Sequence, residues 1–142
     1  MTSDQTQTFR LERVFRAPRQ IVFDYFTKPE LVKTWWGPDS VETEYVEIDL
    51  SIGGECRWEM RDREGSLLIL HGRILEVEPP ERLVMTHQWE NNNEVTTLFF
   101  NFLEADGRTK VVVEQTGINR SIPIDLYDNW WATAFDCLEQ EV

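Results

Sequence analysis

Two hydrophobic periods alternate along this chain, and their order predicts a fold. Residues 9–16 (FRLERVFR) set Phe9, Leu11 and Phe15 on one side with Arg13 between them. That two-residue period predicts a strand, stopped at Ala17-Pro18. Pro18 also suits a first helical turn, and PRQIVFDYFT then spaces Ile21, Val22, Tyr25 and Phe26 along one helical face. Lys28-Pro29 breaks this helix. PELVKTWW predicts a second short one, with Leu31, Val32, Trp35 and Trp36 on one side and a stop at Gly37-Pro38.

From Val41 the period is two. Val46, Ile48 and Leu50 share a face, and Gly53-Gly54 turns the chain. ECRWEMRD alternates cleanly, with Cys56, Trp58 and Met60 inward against Arg57, Glu59 and Arg61, as in a sheet with one wet face. A turn at residues 62–65 (DREG) leads into SLLILHGRILEVE, a long strand whose first half is too apolar for its facing to be read. Beyond Pro79-Pro80-Glu81, RLVMTHQW places Leu83, Met85, His87 and Trp89 on one face. Residues 90–93 (ENNN) turn the chain into VTTLFFNFLE, where Leu98, Phe100 and Phe102 align. A hairpin at residues 105–108 (ADGR) follows, and TKVVVEQTG turns Val111, Val113 and Gln115 one way.

Residues 122–142 return to the helical period. Ile124, Tyr127, Trp130, Trp131, Ala134, Cys137 and Leu138 form a stripe, and Asp125, Asp128, Asp136 and Glu139 mark the wet side. The predicted order is one strand, two short helices, six strands and one long helix. A tryptophan pair stands in each helical region, Trp35-Trp36 and Trp130-Trp131. An indole is a large apolar body with one polar handle, so the pairs either fill the interior or line a hollow in it. Adjacent helical residues diverge by about 100°. One indole of each pair is therefore expected to pack the fold, leaving the other to meet a ligand.

Composition narrows the classes. At 142 residues the chain is expected to form one domain, and no apolar run approaches the roughly 20 residues of a membrane span. The start, MTSDQTQTF, lacks the basic-then-apolar pattern of a secretory signal, so a cytoplasmic location is expected. Fourteen basic against twenty-six acidic residues give a net charge of −12, which repels phosphate backbones and argues against nucleic acid. Cys56 and Cys137 stand far apart, with neither disulfide nor zinc spacing, and read as buried thiols. No cofactor or metal is expected.

The ordered pieces RVFRAPRQIVFDYFTKPELVKTWWGP, DLSIGGECRWEM, HGRILEVEPPERLVMTHQW, GRTKVVVEQTG and DNWWATAFDCL carry a resemblance. The chain resembles the START-like (helix-grip, SRPBCC) superfamily, in the branch similar to the activator of heat-shock protein 90 ATPase. The fold so implied is α+β: a seven-stranded curved antiparallel sheet around a long C-terminal helix, with two short helices after the first strand. It would occupy residues 9–142 as a single domain, behind a frayed stretch at 1–8. Relatives often carry an aromatic where His87 stands and a glycine where Asn129 stands.

Such a fold implies a cavity between sheet and long helix, with Trp35 and Trp36 at its mouth. Candidate ligand-binding residues are Trp35, Trp36, Trp58, Met60, Met85, His87, Trp89, Phe100, Gln115, Tyr127, Trp130 and Trp131, with Phe102 and Ala134 as further lining. Each reads equally as core. His87 could anchor a ligand or exchange a proton, yet no orienting carboxylate or nucleophile is predictable, so no catalytic residue is assigned. Asp49, Glu55, Arg57, Arg73 and Glu76 read as a polar rim or as solvated surface. The resemblance implies a partner that is an apolar or amphipathic small molecule. Chaperone regulation and self-association are alternatives, and a cyclase- or hydrolase-like enzyme a third. Full eukaryotic activators carry a further N-terminal domain that the short stretch before Phe9 is not expected to supply. A cavity on the order of 300 Å³ or more, faced by His87 or Gln115, would favour a ligand.

Overall fold

A computed structural model describes residues 5–37 and 40–142, so Pro38 and the expected fraying over residues 1–4 lie outside the described residues. Ten elements follow in chain order: β1 (Thr6–Phe15), α1 (Arg19–Thr27), α2 (Pro29–Val32), β2 (Val41–Ile48), β3 (Glu55–Asp62), β4 (Leu67–Glu78), β5 (Arg82–Trp89), β6 (Thr96–Ala105), β7 (Arg108–Asn119) and α3 (Ile124–Glu141). The strands form one seven-stranded sheet in the order β1-β7-β6-β5-β4-β3-β2. Every neighbouring pair is antiparallel. β2 to β7 run as a meander, β1 adds to β7, and α1 and α2 carry the chain from one sheet edge to the other. α3 lies against the inner face, where Phe135 meets Phe15 edge-on at 5.4 Å. This is the α+β helix-grip arrangement.

Sequence periodicity accounts for most of these elements. Cys56, Trp58 and Met60 of β3 are buried between partly exposed charged neighbours, and Leu83, Met85 and His87 of β5 are buried as expected, although Val84 on the other face of β5 is buried too. Arg13 interrupts the apolar face of β1 for a reason found on α3. Its Nη1 donates to Asp136 Oδ1 at 2.9 Å and to Glu139 Oε2 at 3.1 Å. The β6–β7 hairpin turns through Asp106 and Gly107, both at positive φ, as tight two-residue hairpins require. β4 resolves its ambiguous run by burying Leu70 and Ile74. A register shift between Ile74 and Glu76 then leaves Leu75 exposed and brings Val77 to the core.

Four expectations need correction. β1 begins at Thr6 rather than at residue 9, because Gln7 Nε2 donates to the carbonyls of Asn119 (3.1 Å) and Ile122 (2.7 Å) and ties the strand start to the end of β7. α2 spans only Pro29–Val32, and the chain then turns so that both Trp35 and Trp36 are buried. Helix-type hydrogen bonds continue as far as the Trp36 N–H, and each indole finds an enclosed neighbour, Trp35 against Phe26 and Trp36 against Trp58, so neither is left to meet a ligand. The buried face of α1 is Val22, Phe23, Phe26 and Thr27, with Ile21 exposed, since Phe23 and Phe26 pack edge-on against Phe102. In α3 the fully buried Phe135 belongs to the stripe as well, against Phe15 and Trp131. Among the described residues no helix is long and apolar enough to cross a membrane.

Candidate functional site

The space between sheet and α3 divides into a filled end and a hollow end. At the filled end Trp36 stacks on Trp58, with ring centroids 5.0 Å apart and planes 9° from parallel. Trp35 and Trp131 meet Trp36 edge-on at 5.5 and 5.6 Å. Trp35 Nε1 donates to the Tyr25 carbonyl at 2.7 Å and locks the exit of α2 onto α1. Met60, Met85 and Phe100 are buried in the same core. Trp35, Trp36, Trp58, Met60, Met85 and Phe100 therefore pack the interior and do not line the hollow.

The hollow has a volume of about 230 Å³. Of the residues expected at a ligand site, it brings together His87 and Trp89 from β5, Gln115 from β7, and Tyr127, Trp130 and Trp131 from α3. Leu70 of β4, Asn92 and Glu94 of the β5–β6 turn, Thr96 of β6, Ile122 ahead of α3, and Leu126 of α3 complete the wall. Asn92, Glu94 and Leu126 are exposed and mark the outer end. These additional residues were legible only as a turn, a strand start and a helix start. Loop closure against α3 is a tertiary event with no periodic signal, although the polar run at residues 91–94 marks where it occurs.

The floor carries a buried polar relay. Trp131 Nε1 donates to Gln115 Oε1 at 3.0 Å, and Gln115 Nε2 donates to Thr96 Oγ1 at 2.9 Å. Both ends of the amide are thus engaged, as burial in an apolar wall demands. His87 sits beside this relay, edge-on to Trp58 at 4.9 Å and to Trp36 at 5.6 Å. Desolvation pushes its pKa down to about 3, so the ring is neutral near pH 7. Among the described residues its Nε2 has no hydrogen-bond partner, and neither do the Nε1 atoms of Trp36 and Trp58 around it.

The rim is aromatic and acidic. Trp89 and Trp130 meet edge-on at 5.9 Å. Glu94 is set by its surroundings: Asn92 Oδ1 accepts from the Glu94 backbone N–H at 2.6 Å, and Glu94 Oε2 accepts from Asn119 Nδ2 at 2.8 Å. Burial, and then the Glu94 carboxylate, push the Tyr127 phenol up. Among the described residues no lysine or arginine lines the hollow.

Elsewhere the candidate rim charges pair at the surface, Arg73 with Glu55 at 3.5 Å, Arg57 with Glu59 at 2.7 Å and Arg82 with Glu76 at 3.0 Å. Asp49 lies in the turn after β2, where its Oδ1 accepts from Ser51 Oγ at 2.9 Å. Among the described residues no group of three His, Cys, Asp or Glu side chains is placed to hold a metal. Burial pushes the Cys56 thiol up to about 12, leaving it a packing residue rather than a nucleophile. No carboxylate hydrogen-bonds to His87 among the described residues.

Residues 16–142 match the family described as Activator of Hsp90 ATPase homolog 1-like protein. No curated protein matches the chain. Among solved structures, protein CV1439 from Chromobacterium violaceum is 25% identical and superposes with a TM-score of 0.88 over 95% of this chain and 96% of that one. Protein NE0264 from Nitrosomonas europaea is 25% identical with a TM-score of 0.84, covering 94% and 92% of the two chains. The AHSA1 protein SPO3351 from Silicibacter pomeroyi, at 20% identity, shares the fold with a TM-score of 0.82 over 95% and 96%.

Proposed function

Because the chain belongs to the Activator of Hsp90 ATPase homolog 1-like protein family, we propose that it is a binding protein for a compact amphipathic molecule held between the sheet and α3. The observation that carries this reading is the hollow itself. A large aromatic could have filled the space between His87, Gln115 and Trp130, as Trp36 and Trp58 fill the other end, and it does not. At about 230 Å³ the hollow falls below the roughly 300–1,000 Å³ of pockets for drug-sized ligands, so a small occupant is favoured. The relay of Gln115, Thr96 and Trp131 is satisfied without a ligand. The wall therefore keeps its shape when empty, which lowers the cost of binding.

Native mass spectrometry of the protein purified from its own host tests this, together with thermal shift against a panel of small amphipathic compounds. A co-purifying small molecule, or a ligand-dependent rise in melting temperature, is expected. An empty protein with no thermal shift across the panel would sink the reading. If a chaperone ATPase co-purified instead and its turnover responded to the protein, the regulatory alternative would take its place.

A further inference from the structure

We propose that the hollow selects a small organic cation, an alkylated or quaternary ammonium group, boxed by Trp89, Tyr127 and Trp130 beside the Glu94 carboxylate. This rests on the binding reading above and adds the charge of the ligand. Aromatic faces carry negative electrostatic potential, and several of them around one site favour a cation without requiring hydrogen bonds. Trp89 and Trp130 both line the hollow and stand edge-on at 5.9 Å, with their ring planes 81° apart. Tyr127 supplies a further ring on the same wall.

The charge balance points the same way. Among the described residues Glu94 is the one acidic residue of the lining, no lysine or arginine accompanies it, and His87 is held neutral by burial. Glu94 Oε2 takes its hydrogen bond from an uncharged amide, and among the described residues the carboxylate makes no ion pair. Its field already reaches across the site, since it helps hold the Tyr127 phenol protonated. A field that disfavours an anion at Tyr127 favours a cation beside it. Both ends of the Gln115 amide are already engaged within the relay. A methylated ammonium brings apolar bulk and positive charge with no donor to satisfy, and both properties match this wall.

Titration of the full chain, followed by tryptophan fluorescence and calorimetry, tests the proposal with three probes of one shape. Choline is the cation, 3,3-dimethylbutan-1-ol its neutral counterpart and 3,3-dimethylbutanoate an anion. Choline is expected to bind at least about tenfold tighter than the alcohol, with the carboxylate weakest. Glu94→Gln, which keeps an acceptor for Asn119, should weaken choline about tenfold and leave the alcohol unchanged. Trp130→Leu should weaken choline comparably. Unchanged melting of both variants would show that they fold. If the alcohol or the carboxylate binds as tightly as choline, or if Glu94→Gln leaves choline unaffected, the cation assignment falls while the binding reading stands. If none of the three binds and nothing co-purifies, both fall together.

Discussion

His87 is the residue at which packing and polarity conflict most. It packs edge-on against the stacked Trp36 and Trp58 with a ring whose Nε2 has no partner among the described residues. An unsatisfied buried polar atom costs about 1–3 kcal/mol, and an apolar ring of similar shape would remove that cost. His87→Phe is therefore expected to stabilise the protein by about 1 kcal/mol at pH 7.5, after some loss to imperfect fit. A second effect depends on pH. Burial lowers the folded pKa to about 3, while the unfolded side chain titrates near its ordinary value of about 6.5. Between those values the unfolded chain binds the extra proton, so stability rises with pH across the window. The contribution is fully present above about pH 6.5 and is lost as pH falls toward 3. Carboxylates titrate across part of the same range in both proteins, so the comparison is between slopes. Urea unfolding at pH 5.0 and 7.5 should show a smaller loss on acidification for His87→Phe than for the parent. Equal losses would mean that the imidazole is not held neutral by the fold.

At the scale of elements, the central ladder of β3, β4 and β5 depends on one missing side chain. Gly72 of β4 pairs with Cys56 on one side and His87 on the other. A Cβ there would lie 2.6 Å from the Thr86 carbonyl oxygen and 3.0 and 3.2 Å from the Trp58 ring carbons Cζ3 and Cη2. Backbone cannot yield cheaply, and Trp58 is fixed from its other side by Trp36. Gly72→Ala is expected to cost about 1–3 kcal/mol despite its better strand propensity. It should also shift the fluorescence of the buried indoles, and an unchanged urea midpoint would refute this. The strand pattern around it was readable because apolar and polar residues alternate along β3 and across Met85–Trp89 of β5, so the positions of Trp58 and His87 followed from alternation. The facing of β4 was not readable, because its register shift between Ile74 and Glu76 breaks the period that such a reading counts. Helix faces were half legible. Ile21 and Phe23 lie about 200° apart around α1, and packing against Phe102 on β6 turns the Phe23 side inward. At the site, His87, Trp89, Gln115, Tyr127, Trp130 and Trp131 were readable by periodicity, whereas Leu70, Thr96 and Leu126 were not singled out and Asn92, Glu94 and Ile122 reach the wall through irregular segments.

Across the whole molecule, the two tryptophan pairs serve different ends of one interior. Trp35 and Trp36 close the filled end, where indoles, phenylalanines and methionines meet at van der Waals distance. Trp130 and Trp131 border the hollow, Trp131 buried over the relay and Trp130 half-buried at the rim. Folding stability should therefore concentrate at one end and ligand recognition at the other, and truncating one indole from each pair separates them. Trp36→Ala removes a buried ring that touches Trp35, Trp58, His87 and Trp131, so a cost of about 3–5 kcal/mol is expected. That is a large share of the roughly 5–15 kcal/mol that holds a typical domain together. Trp130→Ala removes a half-buried ring whose one close aromatic neighbour among the described residues is Trp89. Its site borders space that is already empty, so the new void merges with the hollow and the cost should stay near 1–2 kcal/mol. Urea midpoints rank the two variants. Thermal shift with whatever ligand the native protein carries should then give the reverse order: Trp130→Ala loses most of the shift, whereas Trp36→Ala, assayed at low temperature where it remains folded, keeps it. Equal costs for both truncations would mean that the hollow end is packed as tightly as the other, and that the interior is not divided in this way.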